Sequence, residues 1–382
     1  MTLAFERSRL VQARWAVITI FLVNGAGLAT WLTRVPAIQD TINASKLELS
    51  FVLLGPAIGA LISFPITGYF LGRFGSRPIT ILMSILTCFA IALISFGSSI
   101  ATFFIFLFIF GFCNAAMDVS MNAQAADVEA GLNLPIMNSF HGMFSAGGII
   151  GAFLAGYIAR QEIGLFPHLP LVAAILLVAN LIAAFYLLPT KPHHSDAPVF
   201  ALPSKAVFIL GLVGFCALIG EGAMGDWSAL YLRDYLGTDE GFAAYGYAAF
   251  AVAMTLGRFL GDALTHRFGA RALVVGGGLL TAFGLALGLI VHTTWSVLFG
   301  FASVGLGLSV MFPIMVSIAA QQSPDNKGAA IAAVATMGYT GFLLGPPVIG
   351  FISHYTTLTW GLGVVALLSL VIALLGSRLP KN

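Results

Sequence analysis

Asn114, Asp118 and Asn122 recur at intervals of four residues, which on a helix places all three within about 80° of one face. The residues around them are apolar. A carboxyl on such a stripe is desolvated, so it can gain and lose a proton as its surroundings open to water, which is what coupling a solute to protons requires. The alternative for Asp118 is a buried carboxyl held by neighbouring amides. Asn138, His141 and Ser145 fall at i, i+3 and i+7, again one helical face. His141 could exchange protons with Asp118 or bind a solute, since imidazole titrates near neutrality, or it could cap a helix–helix contact. Glu221 and Asp226 are five residues apart, on nearly opposite faces of an intact helix, among Gly220, Gly222 and Gly225. Either the helix unwinds there or only one acid faces a cavity. Glu221 is the one expected to do so, as a second proton-coupling group, with Asp226 nearer a gate. Arg258 and Asp262, at i and i+4, are expected to pair as a latch. Asn24, Trp31, Phe312 and Tyr339 complete the candidate solute contacts, with Asn114, Asn122, Asn138 and His141.

These groups need elements to hold them, and composition says which kind. Only 8% of the 382 residues are charged, 59% are hydrophobic, and the mean hydropathy is +0.98. A water-soluble domain carries about 25% charge, so soluble, disordered and coiled-coil classes are excluded. A net charge of +2 gives no basic patch, which argues against nucleic acid as a partner. Crossing about 30 Å of hydrocarbon takes about 20 apolar residues as a helix. On that criterion the chain holds twelve spans: 13–34, 49–71, 78–99, 101–124, 135–160, 169–190, 205–232, 243–266, 271–292, 294–320, 327–353 and 358–377. An even number of spans puts both termini on one side. Of the 17 lysines and arginines, Arg34, Lys46, Arg160 and Arg233 fall on the far side and Arg258 within a span, leaving twelve on the side of the termini. Positive charge favours the cytoplasm, so both termini are expected there. Arg34, beside Trp31 and Pro36, reads first as an interfacial anchor. Cys88, Cys113 and Cys216 sit in apolar runs without metal-ligand spacing, and no nucleotide, dinucleotide or hydrolase motif occurs, so neither a metal, a cofactor nor an enzyme is expected.

The two halves overlay with a shift of 194 residues. Arg73-Phe74-Gly75-Ser76-Arg77 falls on Arg267-Phe268-Gly269-Ala270-Arg271, and Gly111, Met143, Gly147, Gly151 and Gly156 fall on Gly305, Met337, Gly341, Gly345 and Gly350. One shift serving separate regions implies two six-helix bundles of common design, with glycines letting helices approach closely in lipid. Asp118 falls on Phe312, so the acid is no part of the shared scaffold.

On these residues the chain resembles the major facilitator superfamily. Gly68 through Gly72-Arg73-Phe74-Gly75-Ser76-Arg77 is similar to its signature loop, with Gly72 where an Asp is usual, and Gly257-Arg258 through Asp262 to Arg271 is similar to the second copy. The resemblance implies a gating latch at Arg73, Arg77, Arg267 and Arg271. Asp118-x-x-x-Asn122, Asn138-Ser139-Phe140 and Gly257-Arg258-Phe259 resemble the fucose-permease branch, in which the span-four acid carries the proton; that branch's span-one Asp has no counterpart here. The expected fold is therefore all-α, twelve transmembrane helices in two pseudo-symmetric six-helix bundles at 1–190 and 205–382, joined by a cytoplasmic linker at 191–204. The expected function is secondary active transport of a small polar solute, sugar-like or another metabolite, across a bacterial inner membrane by alternating access. Protons, the solute and the bilayer are the partners of a monomer. The alternatives are proton-driven efflux of drugs, siderophores or amphipathic compounds, to which the antiporter-like Gly341, Gly345-Pro346-Pro347 and Gly350 would belong, and a non-transporting receptor or lipid-handling protein of the same fold.

Overall fold

The structure, a computed structural model, describes residues 2–44, 46–190, 204–238 and 240–380. Fourteen α-helices run along these residues, and no strand occurs among them. In chain order they are α1 (Thr2–Leu32), α2 (Val35–Ile42), α3 (Lys46–Phe74), α4 (Ser76–Ile94), α5 (Ile100–Leu132), α6 (Met137–Arg160) and α7 (Leu165–Ala184). After the linker region follow α8 (Lys205–Leu236), α9 (Glu240–Phe268), α10 (Ala270–Val291), α11 (Thr294–Leu308), α12 (Met311–Gln322), α13 (Lys327–Tyr355) and α14 (Leu358–Gly376). The first two helices together form one span and α11 with α12 another, so twelve helical stretches are long and apolar enough to cross a membrane. In hydrocarbon every backbone group must be bonded within its own element, which leaves the helix as the only spanning form for such sequences.

The spans extend further than hydropathy alone places them. The helix expected at 101–124 continues to Leu132 and carries Asp127 and Glu129 with it. The glycine-rich stretch around Glu221 does not unwind: α8 is one helix of 32 residues. In α4, α7, α10 and α14 there is no acid at all, and their large side chains, such as Phe89, Leu171, Ile290 and Leu374, are exposed as lipid-facing helices require.

The 194-residue repeat reaches the helix ends. Gly75 and Gly269 precede α4 and α10 with φ of 81° and 80°, a conformation that a side chain at Cβ opposes. Ser99 and Thr102 form a reciprocal capping box at the start of α5, and Thr293 and Ser296 form the same box at the start of α11. Helix crossings repeat as well. A Cβ on Gly111 would lie 2.1 Å from the Pro56 carbonyl oxygen, and one on Gly305 would lie 2.1 Å from that of Phe250, 194 residues on. Only glycine lets backbones approach so closely.

Two compact units result. One comprises Met1–Leu134, Met143–Leu202 and Ala320–Ala332; the other comprises Pro135–Gly142, Pro203–Ala319 and Ala333–Asn382. Each unit thus includes the first turns of a helix whose remainder belongs to the other, α6 in one case and α13 in the other. The expected linker at 191–204 lies, apart from its last residue, outside the described residues.

Candidate functional site

In the first unit, α1 and α5 carry the candidate residues. The amide of Asn24 donates to the Asn114 side-chain oxygen at 3.2 Å, tying the two helices together through polar groups. One and two turns further along α5, the Asn122 amide donates to the Asp118 backbone carbonyl at 2.9 Å and to its carboxylate at 3.3 Å. Asp118 is 6% exposed and Asn122 1%. The stripe read from spacing is therefore a real polar face, buried within a membrane-spanning helix. Two polar atoms on α1 are left without partners there, the Asn24 side-chain oxygen and the indole N–H of Trp31, whose ring packs edge-on against Phe110 at 5.5 Å. Buried polar atoms without partners are costly, and they are common where a ligand or water completes the bonding.

The second unit brings together His141, Phe312 and Tyr339. The imidazole meets the Phe312 ring edge-on at 5.9 Å, and Phe312 meets Tyr339 at 6.3 Å. The repeat places Phe312 where the other half has Asp118, so equivalent positions hold an acid in one half and an aromatic cluster in the other. The Asn138 side-chain oxygen is buried without a partner. Glu221 on α8 forms an ion pair with Arg258 on α9 at 3.5 Å, both partly shielded. Asp226 is exposed, and Trp227 lies beside Gly350.

The expected pairing of Arg258 with Asp262 does not occur. Asp262 instead turns to the start of α6, where its carboxylate accepts from the backbone N–H groups of Asn138 and Ser139, each at 2.9 Å, and from the Ser139 hydroxyl. The physical reason is competition. The first turn of a helix has unsatisfied N–H donors and a positive field, and a carboxylate placed there satisfies both. Arg258 then finds its acid on α8.

At the corresponding place in the first unit no acid occupies the Asp262 position. The repeat puts Gly68 there, and a Cβ on it would lie 3.0 Å from the Ala332 Cβ and 3.3 Å from the Ala329 Cα near the start of α13. The charge is supplied from elsewhere: Lys327, the first residue of α13, forms an ion pair with Asp127 on α5. Around it lies a polar network. The Ser76 hydroxyl donates to Asp127, the Gln124 amide donates to Ser76 and to the Leu188 carbonyl, and the Thr190 hydroxyl accepts from the Arg77 backbone. This cluster borders a cavity of about 450 Å³ that also touches Arg9 and Gly72 and does not include Asp118 in its lining. Sequence reasoning missed Asp127 and Lys327 as a pair. The usable signal was the missing acid at Gly72, which implied that a different charge must serve.

The remaining latch residues are peripheral. Arg73 donates to the Tyr69 hydroxyl at 3.3 Å and lies over the Phe74 ring, as Arg267 lies over Phe268. Arg77 reaches the Ala184 carbonyl at 3.5 Å. Arg271 is half-buried. Arg34, expected as an interfacial anchor, is turned into the protein: it is 5% exposed, inside the first unit. Among the described residues no cluster of His, Cys, Asp or Glu has the makings of a metal centre.

The comparisons with known proteins agree with this architecture. The family model described as Major Facilitator Superfamily matches residues 16–210 and 210–381. An uncharacterized transporter of Sinorhizobium fredii is 35% identical over 378 residues, covering 98% of this chain and 100% of the relative. An uncharacterized MFS-type transporter of Yersinia pestis is 35% identical over 355 residues, 92% of each chain. Among solved structures, the MFS transporter FucP in its outward conformation superposes with a TM-score of 0.80 at 16% identity, over 96% of this chain and 98% of that one. Twelve spanning helices, a repeated scaffold and a full-length family match lead to one conclusion: the chain belongs to the major facilitator superfamily and is a multi-pass membrane protein of the secondary-transporter class.

Proposed function

We propose that the chain moves a small polar solute across the cytoplasmic membrane by alternating access, coupled to protons through Asp118. The observation that carries this reading is the burial of Asp118 in α5 beside Asn122, on the face that also presents Asn114 to Asn24. An ionisable group at membrane depth costs at least about 2.5–3.5 kcal/mol, a cost that a structural carboxyl in the shared scaffold would have been required to repeat in both halves. It is not repeated: its counterpart is Phe312. In the first unit the amides of Asn24, Asn114 and Asn122 offer donors and acceptors suited to a hydroxyl-bearing solute, and in the second unit Asn138 and His141 do. Trp31 offers an apolar face in the first unit, as Phe312 and Tyr339 do in the second. Glu221 is the second titratable group in this scheme. Arg258 is its partner, and an anionic solute group would compete with it for the guanidinium.

The ends of the units would act as gates. Asp262 on the first turn of α6 and Lys327 with Asp127 at the first turn of α13 are contacts that a change of access would have to break and remake. The positive-inside distribution supports a cytoplasmic side for both termini and both of these contacts.

The test is transport in proteoliposomes. Solutes that raise the unfolding temperature of the purified protein are supplied outside vesicles with an imposed inward pH gradient. The wild type is expected to accumulate its solute above equilibrium, and Asp118→Asn to retain exchange of solute across the membrane while losing gradient-driven accumulation. If Asp118→Asn accumulated solute as the wild type does, Asp118 would not be the coupling group.

A further inference from the structure

Arg34 and His168 form a buried pair with a chemical imbalance. Arg34 follows α1 and His168 lies in the first turn of α7; both belong to the first unit, at the end opposite Arg9. Arg34 is 5% exposed and His168 2%. One guanidinium nitrogen donates to the Ile163 carbonyl at 2.7 Å and the other lies 3.3 Å from His168 Nδ1. Both partners are neutral. Among the described residues Arg34 takes part in no ion pair, and Glu162, next to Ile163, is exposed. A guanidinium sunk this deeply is expected to face a carboxylate.

The imidazole settles where the missing negative group belongs. A guanidinium has only donors, so His168 Nδ1 must accept, and the ring proton must sit on Nε2. That Nε2–H is buried and has no partner. A cation donating to one ring nitrogen polarises the ring and strengthens the donor on the other side. α7 is interrupted at Phe166 (φ −75°, ψ 108°), so the continuous helix starts at Pro167 and its positive end lies at His168.

We propose that His168 Nε2–H, polarised by Arg34, is the donor of a binding site for a small monovalent anion, a halide or a formate-sized carboxylate. The anion neutralises the Arg34–His168 pair and so ties the end of α1 to the start of α7. The site is separate from the Asp118 face and does not depend on proton coupling.

The experiment uses the full-length purified protein at fixed ionic strength, with sodium gluconate replaced stepwise by sodium chloride in one arm and by sodium formate in another. A saturable rise in unfolding temperature is expected in at least one arm, and the arm that responds identifies the anion class. The rise is expected to vanish in Arg34→Gln and in His168→Phe, and to persist in Arg160→Gln, an exposed arginine on the same unit. Should both variants fail to fold, the wild type crystallised in sodium bromide decides: anomalous bromide signal within hydrogen-bond distance of His168 Nε2 supports the site. No response in either arm, an equal response in the Arg34 variant, or a water at Nε2 in place of bromide would overturn it.

Discussion

Removing the Asp262 carboxylate should loosen the first turn of α6 by an amount the structure allows to be worked out. The carboxylate accepts from two backbone amides, those of Asn138 and Ser139, and from the Ser139 hydroxyl. A hydrogen bond to a charged group contributes about 1.5–3 kcal/mol, and the site is only part-buried, so the lower figure applies. Two amide bonds then amount to about 3 kcal/mol of local protection, which is roughly a hundredfold in the opening equilibrium of those amides. Asp262→Ala should therefore speed hydrogen–deuterium exchange of peptides covering 135–142 by roughly a hundredfold. Asp262→Asn keeps one acceptor oxygen without the charge and should give an increase of roughly tenfold. Exchange at the first turns of α13 should be unaffected, because that helix start packs against Gly68 rather than Asp262. Mass-spectrometric exchange in detergent reads all three. A change below threefold at 135–142 in the alanine variant would refute the capping argument, and equal acceleration at α13 would mean global destabilisation.

Three further outcomes follow from packing and charge. Lys327→Met should lower the unfolding temperature by leaving Asp127 without its cation, and adding Asp127→Asn should recover much of the loss. A double-mutant cycle should give a coupling of about 1 kcal/mol, modest because both side chains are only three-quarters shielded. Gly111→Ala and Gly305→Ala should each sharply reduce folded yield in fluorescence-detected size exclusion, since the added carbon has only backbone to meet. Gly156→Ala, with nothing within 4 Å of the added carbon, should fold as well as the wild type or better.

Much of the architecture was legible because the bilayer constrains it strongly. Twelve apolar stretches became twelve spans, and the shift of 194 residues carried through to Gly75 with Gly269 and to the crossings of Gly111 and Gly305. The polar face of Asn114, Asp118 and Asn122 was legible for a similar reason, since helical spacing alone puts those residues side by side. Partnerships across long stretches of chain were not. Asp262 lies four residues from Arg258, and sequence proximity favoured that pair, yet helix N–H groups 124 residues away compete better. Asp127 and Lys327 are 200 residues apart, and no local pattern links them. Arg34 misled in another way. Its flanking Trp31 and Pro36 suggested an interfacial position, whereas burial depends on how α7 packs, which hydropathy does not report.

The exchange of helix starts between the units has a consequence for how the chain is made. Residues are synthesised at about 5–20 per second, so Lys327 emerges roughly 10 to 40 seconds after Asp127. Once α7 is made, the first unit has its own spans but lacks the segment Ala320–Ala332 that completes it. Asp127 waits beside Ser76 and Gln124 without the Lys327 ammonium. The first half is therefore a provisional body during translation, finished only when the penultimate span arrives. A ribosome stalled before Lys327 would leave a half-transporter whose charged corner is open, a natural mark by which quality control could tell an unfinished molecule from a complete one.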